Sequence, residues 1–111
     1  MKLKYSEVKT QRLQKLLEQD NRCSLCGETI EDDAVLDHDH KTGKIRHVLH
    51  RGCNALLGKI ENNMARNKVS LLRLKGIADN IYEYLNKDYD GVLHPTYKTP
   101  EEKKLKRKKK R

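Results

Sequence analysis

The sequence predicts a small α+β domain in which two short strands and a helix form one unit flanked by further amphipathic helices. Three observations predict it. The stretch from Val35 to His50 reads as two short runs around a glycine-containing loop, and apolar residues recur at helical spacing before and after it. Two pairs of cysteine and histidine with the same spacing bracket that hairpin, in a chain with little other material for a core.

Of the 111 residues 35% are hydrophobic and 37% charged, with no Phe and no Trp. A chain of this length suits one domain. So thin a core calls for a staple, either disulfides or a structural metal. Cys23, Cys26 and Cys53 cannot close a set of disulfides, and no apolar N-terminal segment marks secretion. A reducing cytoplasm and metal ligation are therefore expected. No stretch approaches the roughly 20 apolar residues of a membrane-spanning helix, so the expectation is a soluble protein with no membrane partner.

The first helix is expected from Ser6, as its N-cap, to about Gln19, with Val8, Leu13, Leu16 and Leu17 on one face. Asn21 to Gly27 follows as a tight cysteine turn, whose Gly27 can take a positive φ. The hairpin strands are Val35–His40 and Lys44–His50, joined by Lys41-Thr42-Gly43. A helix then starts near Arg51, with Cys53, Leu57, Ile60 and Met64 at helical spacing. After Asn67, the positions Leu71, Leu74, Ala78, Ile81 and Leu85 mark another amphipathic helix ending near Lys87. His94-Pro95-Thr96 and Thr99-Pro100-Glu101 read as extended linker. The expected division is one domain over residues 1–94, with its strand–strand–helix core at about 34–64, and a flexible linker and basic tail over 95–111.

Cys23 and Cys26 offer two thiolates on one turn, and His50 and Cys53 repeat the x-x spacing across the hairpin. Two such pairs can enclose a tetrahedral zinc, which takes thiolate and imidazole ligands in closed structural sites. The bland alternative makes these cysteines small buried residues and His50 a surface histidine. His47 rivals His50 as the fourth ligand, but only His50 keeps the spacing.

Asp37-His38-Asp39-His40 places two carboxylates and two imidazoles on adjacent residues of the first strand, with alternation sending the acids to one face and the imidazoles to the other. Asn54 falls in the first turn of the following helix, where its carbonyl can reach a cation held by Asp37. Oxygen ligands suit Mg²⁺ or Mn²⁺, with water and a phosphate in the remaining positions. A neutral His38 can then take a proton from an attacking water. A merely solvated polar strand is the competing reading.

The segment Cys23-Ser24-Leu25-Cys26, Leu36-Asp37-His38-Asp39-His40-Lys41-Thr42-Gly43-Lys44-Ile45-Arg46 and His50-Arg51-Gly52-Cys53-Asn54-Ala55-Leu56-Leu57-Gly58 resembles the phage recombination endonuclease VII family and its HNH (His-Me finger) relatives, over roughly residues 20–63. The resemblance implies a ββα-metal fold between flanking helices and a DNA endonuclease that cuts phosphodiester bonds, by nicking or double-strand cleavage, with branched DNA among its substrates. It implies that Asp37 and Asn54 bind one catalytic divalent cation, Mg²⁺ or Mn²⁺, that His38 is the general base, and that His40 orients or contacts phosphate. It assigns Cys23, Cys26, His50 and Cys53 to a structural Zn²⁺. His50 departs from the family's cysteine but remains an accepted zinc ligand. A phage origin, hence a host cytoplasm, is implied by the same resemblance. The sequence does not yield an oligomeric state; a homodimer is compatible with it.

The formal net charge of +9 points to a nucleic acid as partner, and the resemblance makes that partner DNA. Residues Lys103 to Arg111 carry eight of the 25 Lys and Arg and none of the 16 acids, leaving 17 basic against 16 acidic residues elsewhere. The tail therefore carries the sign, and it attracts phosphates without reading bases. Arg46, Arg51 and Lys59 are the candidate phosphate contacts near the site. The alternative function is a noncatalytic zinc-finger module that binds nucleic acid, which explains zinc and tail but gives Asp37 and His38 nothing to do.

Overall fold

The computed structural model describes residues 1–109. Within them lie helix α1 (Tyr5–Glu18), strands β1 (Ala34–His38) and β2 (Ile45–His50), and helices α2 (Arg51–Asn67), α3 (Leu71–Asn86) and α4 (Pro100–Lys109). The architecture is thus mixed helix and strand, with strand, strand and helix following one another directly from Ala34 to Asn67.

α1 begins one residue before the expected cap. Lys4, not Ser6, is the N-cap residue, and its backbone N–H donates to Glu7 Oε1 at 2.8 Å. Glu7 at the third helical position thereby satisfies a donor outside the helix and places an acid at the positive end of the dipole. Of the expected apolar face, Leu16 packs against the core while Leu13 and Leu17 stay exposed. The docking of α1 rests instead on Gln19 just beyond it. The Gln19 side-chain amide donates to the Val48 carbonyl at 2.9 Å and accepts from the Val48 N–H at 2.8 Å, pairing with β2 as an additional strand residue would.

The hairpin is antiparallel, with Ala34 opposite His50, Leu36 opposite Val48 and His38 opposite Ile45. Between the last two pairs β2 carries one more residue than β1, so Arg46 and His47 together oppose Asp37. On the loop side both strands are shorter than expected, β1 ending at His38 and β2 beginning at Ile45. Asp39 and His40 belong to the loop, because Asp39 Oδ1 accepts the Lys41 and Thr42 amides at 2.8 and 3.2 Å, and Gly43 closes the turn at φ 77°. An aspartate that captures its own downstream amides ends a strand.

The buried core is Cys23, Ile30, Val48 and Leu49, with Leu16, Ala34, Leu36, Cys53 and Leu57 packed around it. Two of the cysteines are therefore core residues. α2 packs on both strands, and its first amide, that of Arg51, is satisfied by the backbone carbonyl of Asp33 at 2.9 Å. Lys68 in the left-handed conformation ends α2, its N–H bonded to the Met64 carbonyl.

Two compact units divide within α3: Met1–Leu74 and Lys75–Arg111. Ser70 caps α3, its Oγ accepting the Arg73 amide at 3.1 Å. The apolar face expected for α3 is present but uncovered among the described residues, with Leu71, Ile81 and Leu85 all exposed. Where the sequence reads as linker and tail, the second unit forms α4. Thr99 Oγ1 accepts the Glu102 amide at 3.1 Å, Pro100 opens the helix, and acids in its first turn face bases in its last. Every described residue of α4 is exposed. Lys110 and Arg111, the end of the basic run, lie outside the described residues.

Candidate functional site

The cysteine turn is built by its own backbone. Cys23 N–H donates to the Glu28 carbonyl and Gly27 N–H to the Cys23 carbonyl, both at 2.9 Å, and Gly27 takes φ 83°, the positive value its position suggests. The turn presents Cys23 and Cys26 toward His50, at the end of β2, and Cys53, in the first turn of α2. All four ligand atoms lie within 4.8 Å of one another. His50 Nδ1 is 3.3 Å from Cys26 Sγ and 3.8 Å from Cys53 Sγ. A tetrahedral zinc with bonds of about 2.0–2.3 Å requires edges of roughly 3.5 Å, so the donor set fits such an ion. His47, the rival ligand, is exposed on β2 and takes no part in this cluster.

The other ring nitrogen, His50 Nε2, lies 2.9 Å from the Thr29 carbonyl. That bond requires a proton on Nε2, which leaves Nδ1 as the ligating nitrogen and fixes the ring. The Thr29 carbonyl, and after it the Cys23 and Cys26 sulfurs, push the imidazole up to about 9. Burial raises the Cys23 thiol, but amide donors from Cys26, His50 and Leu25 outweigh it and bring the group down to about 6. Cys53 is pushed up by burial and then by the neighbouring thiols. Metal ligation must expel the protons held on His50 and Cys53, so affinity rises with pH.

A second group of residues lines the other end of the hairpin. Asp37 is buried at 4% exposure, whereas His38 and His40 are exposed, their ring centroids 4.7 Å apart. The two imidazoles thus share a face, as alternation suggests, while Asp39 turns into the loop. Arg46 Nε donates to Asp37 Oδ2 at 2.7 Å and Nη1 to Glu61 Oε2 at 3.1 Å. Glu61 first, then Asp37, holds the guanidinium even more firmly protonated than usual. Asn54 is half-buried one residue after Cys53, and seven residues, about two turns, before Glu61, so both fall on the same side of α2. Arg51 and Lys59 are exposed on α2.

An open groove of about 620 Å³ runs beside these groups, lined by His40 and Lys41 from the loop and by Gly58, Glu61 and Asn62 from α2. Glu61 and Gln19 are the residues that the sequence reading passed over. The spacing of Glu61 from Asn54 was a visible signal for the first; nothing local marks the second.

A family model for recombination endonuclease VII matches residues 1–87. The chain belongs to that family. The endonuclease VII match is wider than the motif segment, since it takes in α1 and α3 and ends where α3 does, before α4. Endonuclease VII membership implies a nuclease that acts on DNA, and the Cys/His cluster is compatible with a structural zinc in it. No helix among the described residues is long and apolar enough to cross a membrane.

Proposed function

We propose that this protein is a metal-dependent DNA endonuclease with a ββα-metal site, in which β1, β2 and α2 carry the chemistry and a zinc held by Cys23, Cys26, His50 and Cys53 staples them together. The observation that carries this reading is the pairing of a buried acid, Asp37, with an exposed imidazole, His38, on adjacent residues of a strand packed against α2. The ion pair with Arg46 accounts for the burial of Asp37, but a purely structural role gives the exposed His38 and His40 pair beside it no task.

The hard oxygens of Asp37 and Asn54 suit Mg²⁺ or Mn²⁺. A divalent ion there supplies stabilisation of charge on the phosphate and the leaving oxygen. A ring nitrogen of His38 takes the proton from the attacking water, and His40, on the same face, donates to a phosphate oxygen. Arg51, Lys59 and the bases of the C-terminal run contact further phosphates and add affinity without sequence preference. His50 at the zinc, in place of a fourth cysteine, lowers the negative charge of that centre by one and keeps a donor type that tetrahedral zinc accepts.

Nicking of supercoiled plasmid with Mg²⁺ or Mn²⁺ tests the reading, with His38→Ala and Asn54→Ala as the informative variants. His38→Ala should retain its fold, zinc and DNA affinity but cut about 10²- to 10⁴-fold more slowly. Asn54→Ala should need more Mg²⁺, with partial recovery at high metal, because a ligand rather than a base is lost. Equal cutting by the parent and both variants would assign the activity to a contaminating nuclease and leave a noncatalytic DNA-binding module as the better account.

A further inference from the structure

The most firmly held side chain of the site is not one of its proposed catalytic groups. Arg46 grips both oxygens of Asp37, with Nε at 2.7 Å from Oδ2 and Nη2 at 3.3 Å from Oδ1. On its far side Nη1 and Nη2 donate to Glu61 Oε2 and Oε1 at 3.1 and 3.3 Å, and Nη2 also reaches the His38 carbonyl at 3.3 Å. One cation lies between two carboxylates of unequal burial: the Asp37 side chain is 5% exposed and that of Glu61 37%. The extra residue in β2 is what brings Arg46 opposite Asp37.

We propose that Arg46 is an electrostatic latch on Asp37: it competes with a divalent cation for that carboxylate, and moves onto Glu61 and substrate phosphate when the cation binds. This rests on the reading of Asp37 as a cation ligand. A guanidinium and a divalent ion on one buried carboxylate lie a few ångströms apart and repel each other in a poorly screened setting. Leaving Arg46 unpaired would be costly, but Glu61 already holds it and sits nearer solvent. The donors withdrawn from Asp37 then match a phosphate, which a guanidinium binds through two parallel bonds. Linkage makes the coupling reciprocal, so phosphate that draws Arg46 away strengthens cation binding, and DNA and metal load together. Without DNA, Arg46 keeps the acid neutralised and the cation weakly bound.

The test is Mn²⁺ binding to the zinc-loaded full-length protein without DNA, read from the electron paramagnetic resonance signal of free Mn²⁺. Asp37→Asn should abolish the binding. Arg46→Gln should tighten it about tenfold, within the usual range of coupling between two sites. Glu61→Gln should weaken it, because Asp37 becomes the sole anionic partner of Arg46, and the double variant should match Arg46→Gln. Zinc content and melting temperature report on folding; if Arg46→Gln does not fold, Arg46→Lys, which keeps the charge but loses the two-point grip, carries the same prediction with a smaller gain. Unchanged or weaker Mn²⁺ binding in the folded Arg46 variant overturns the latch while leaving the cation site intact. A double variant weaker than Arg46→Gln also overturns it, since Glu61 would then act on the cation directly. Absence of Asp37-dependent Mn²⁺ binding in both the parent and the folded Arg46 variant removes both the latch and the cation site.

Discussion

Replacing Cys53 with Ser is a severe perturbation of this fold, and its size follows from the composition of the core. Among the described residues four side chains are buried apolar ones, and Cys23 among them is itself in the metal cluster with Cys53 packed beside it. A structural zinc contributes apparent free energies on the order of 10–16 kcal/mol in small finger domains. Whole domains are stable by about 5–15 kcal/mol, so losing one of four ligands removes a term as large as the total. Ser keeps the volume but offers a hydroxyl that zinc binds poorly beside two thiolates and an imidazole. The expected outcome is loss of a cooperative thermal transition by circular dichroism, together with less than one zinc per chain by elemental analysis. His50→Cys, which supplies a fourth thiolate beside Cys23, Cys26 and Cys53, should keep both. A zinc-free Cys53→Ser protein that melts cooperatively within a few degrees of the parent refutes the reasoning, because Ile30, Val48 and Leu49 would then suffice as a core.

Gln19→Ala removes both side-chain bonds to the Val48 backbone and leaves a part-buried amide and carbonyl without partners, so the melting temperature should fall by an amount equivalent to about 1–3 kcal/mol; an unchanged transition means α1 docks through Leu16 alone. Asp39 is held below its ordinary 3.8 by the Lys41 amide first and the Thr42 amide second. A depressed carboxylate stabilises the turn above its unfolded-state value and loses that contribution as pH falls through the folded one, so the protection of the Lys41 and Thr42 amides, taken relative to their intrinsic exchange rates, should drop only below about pH 4. Protection that declines evenly from neutral pH downward contradicts this. Deleting Lys103–Arg111 should weaken DNA binding and flatten its dependence on salt, while cutting persists at low salt and high protein; an identical salt slope assigns the run no phosphate contacts.

Local pattern determined much of this protein. The hairpin, the start of α2 at Arg51, the positive φ of Gly27 and the pairing of Cys23 with Cys26 and of His50 with Cys53 follow from local pattern, while the fold of the hairpin brings the two pairs, 24 positions apart, together. The start of α4 was equally legible, since Thr99-Pro100-Glu101-Glu102 is a helix-opening pattern, although its like charges pointed toward an unstructured tail. Tertiary structure alone decided the rest. Gln19 meets Val48 across 29 positions of sequence, and only the docking of α1 beside β2 makes its amide a strand partner. Asp37 and Asp39 look equivalent in the sequence, yet one is buried under Arg46 and the other spends its lone pairs on the turn. Arg46 itself reads as a free cation until the extra residue in β2 and the packing of α2 set two carboxylates around it. Hydrophobic periodicity put an apolar stripe on α3, but whether a stripe is covered depends on what packs against it, which no spacing along one helix can specify.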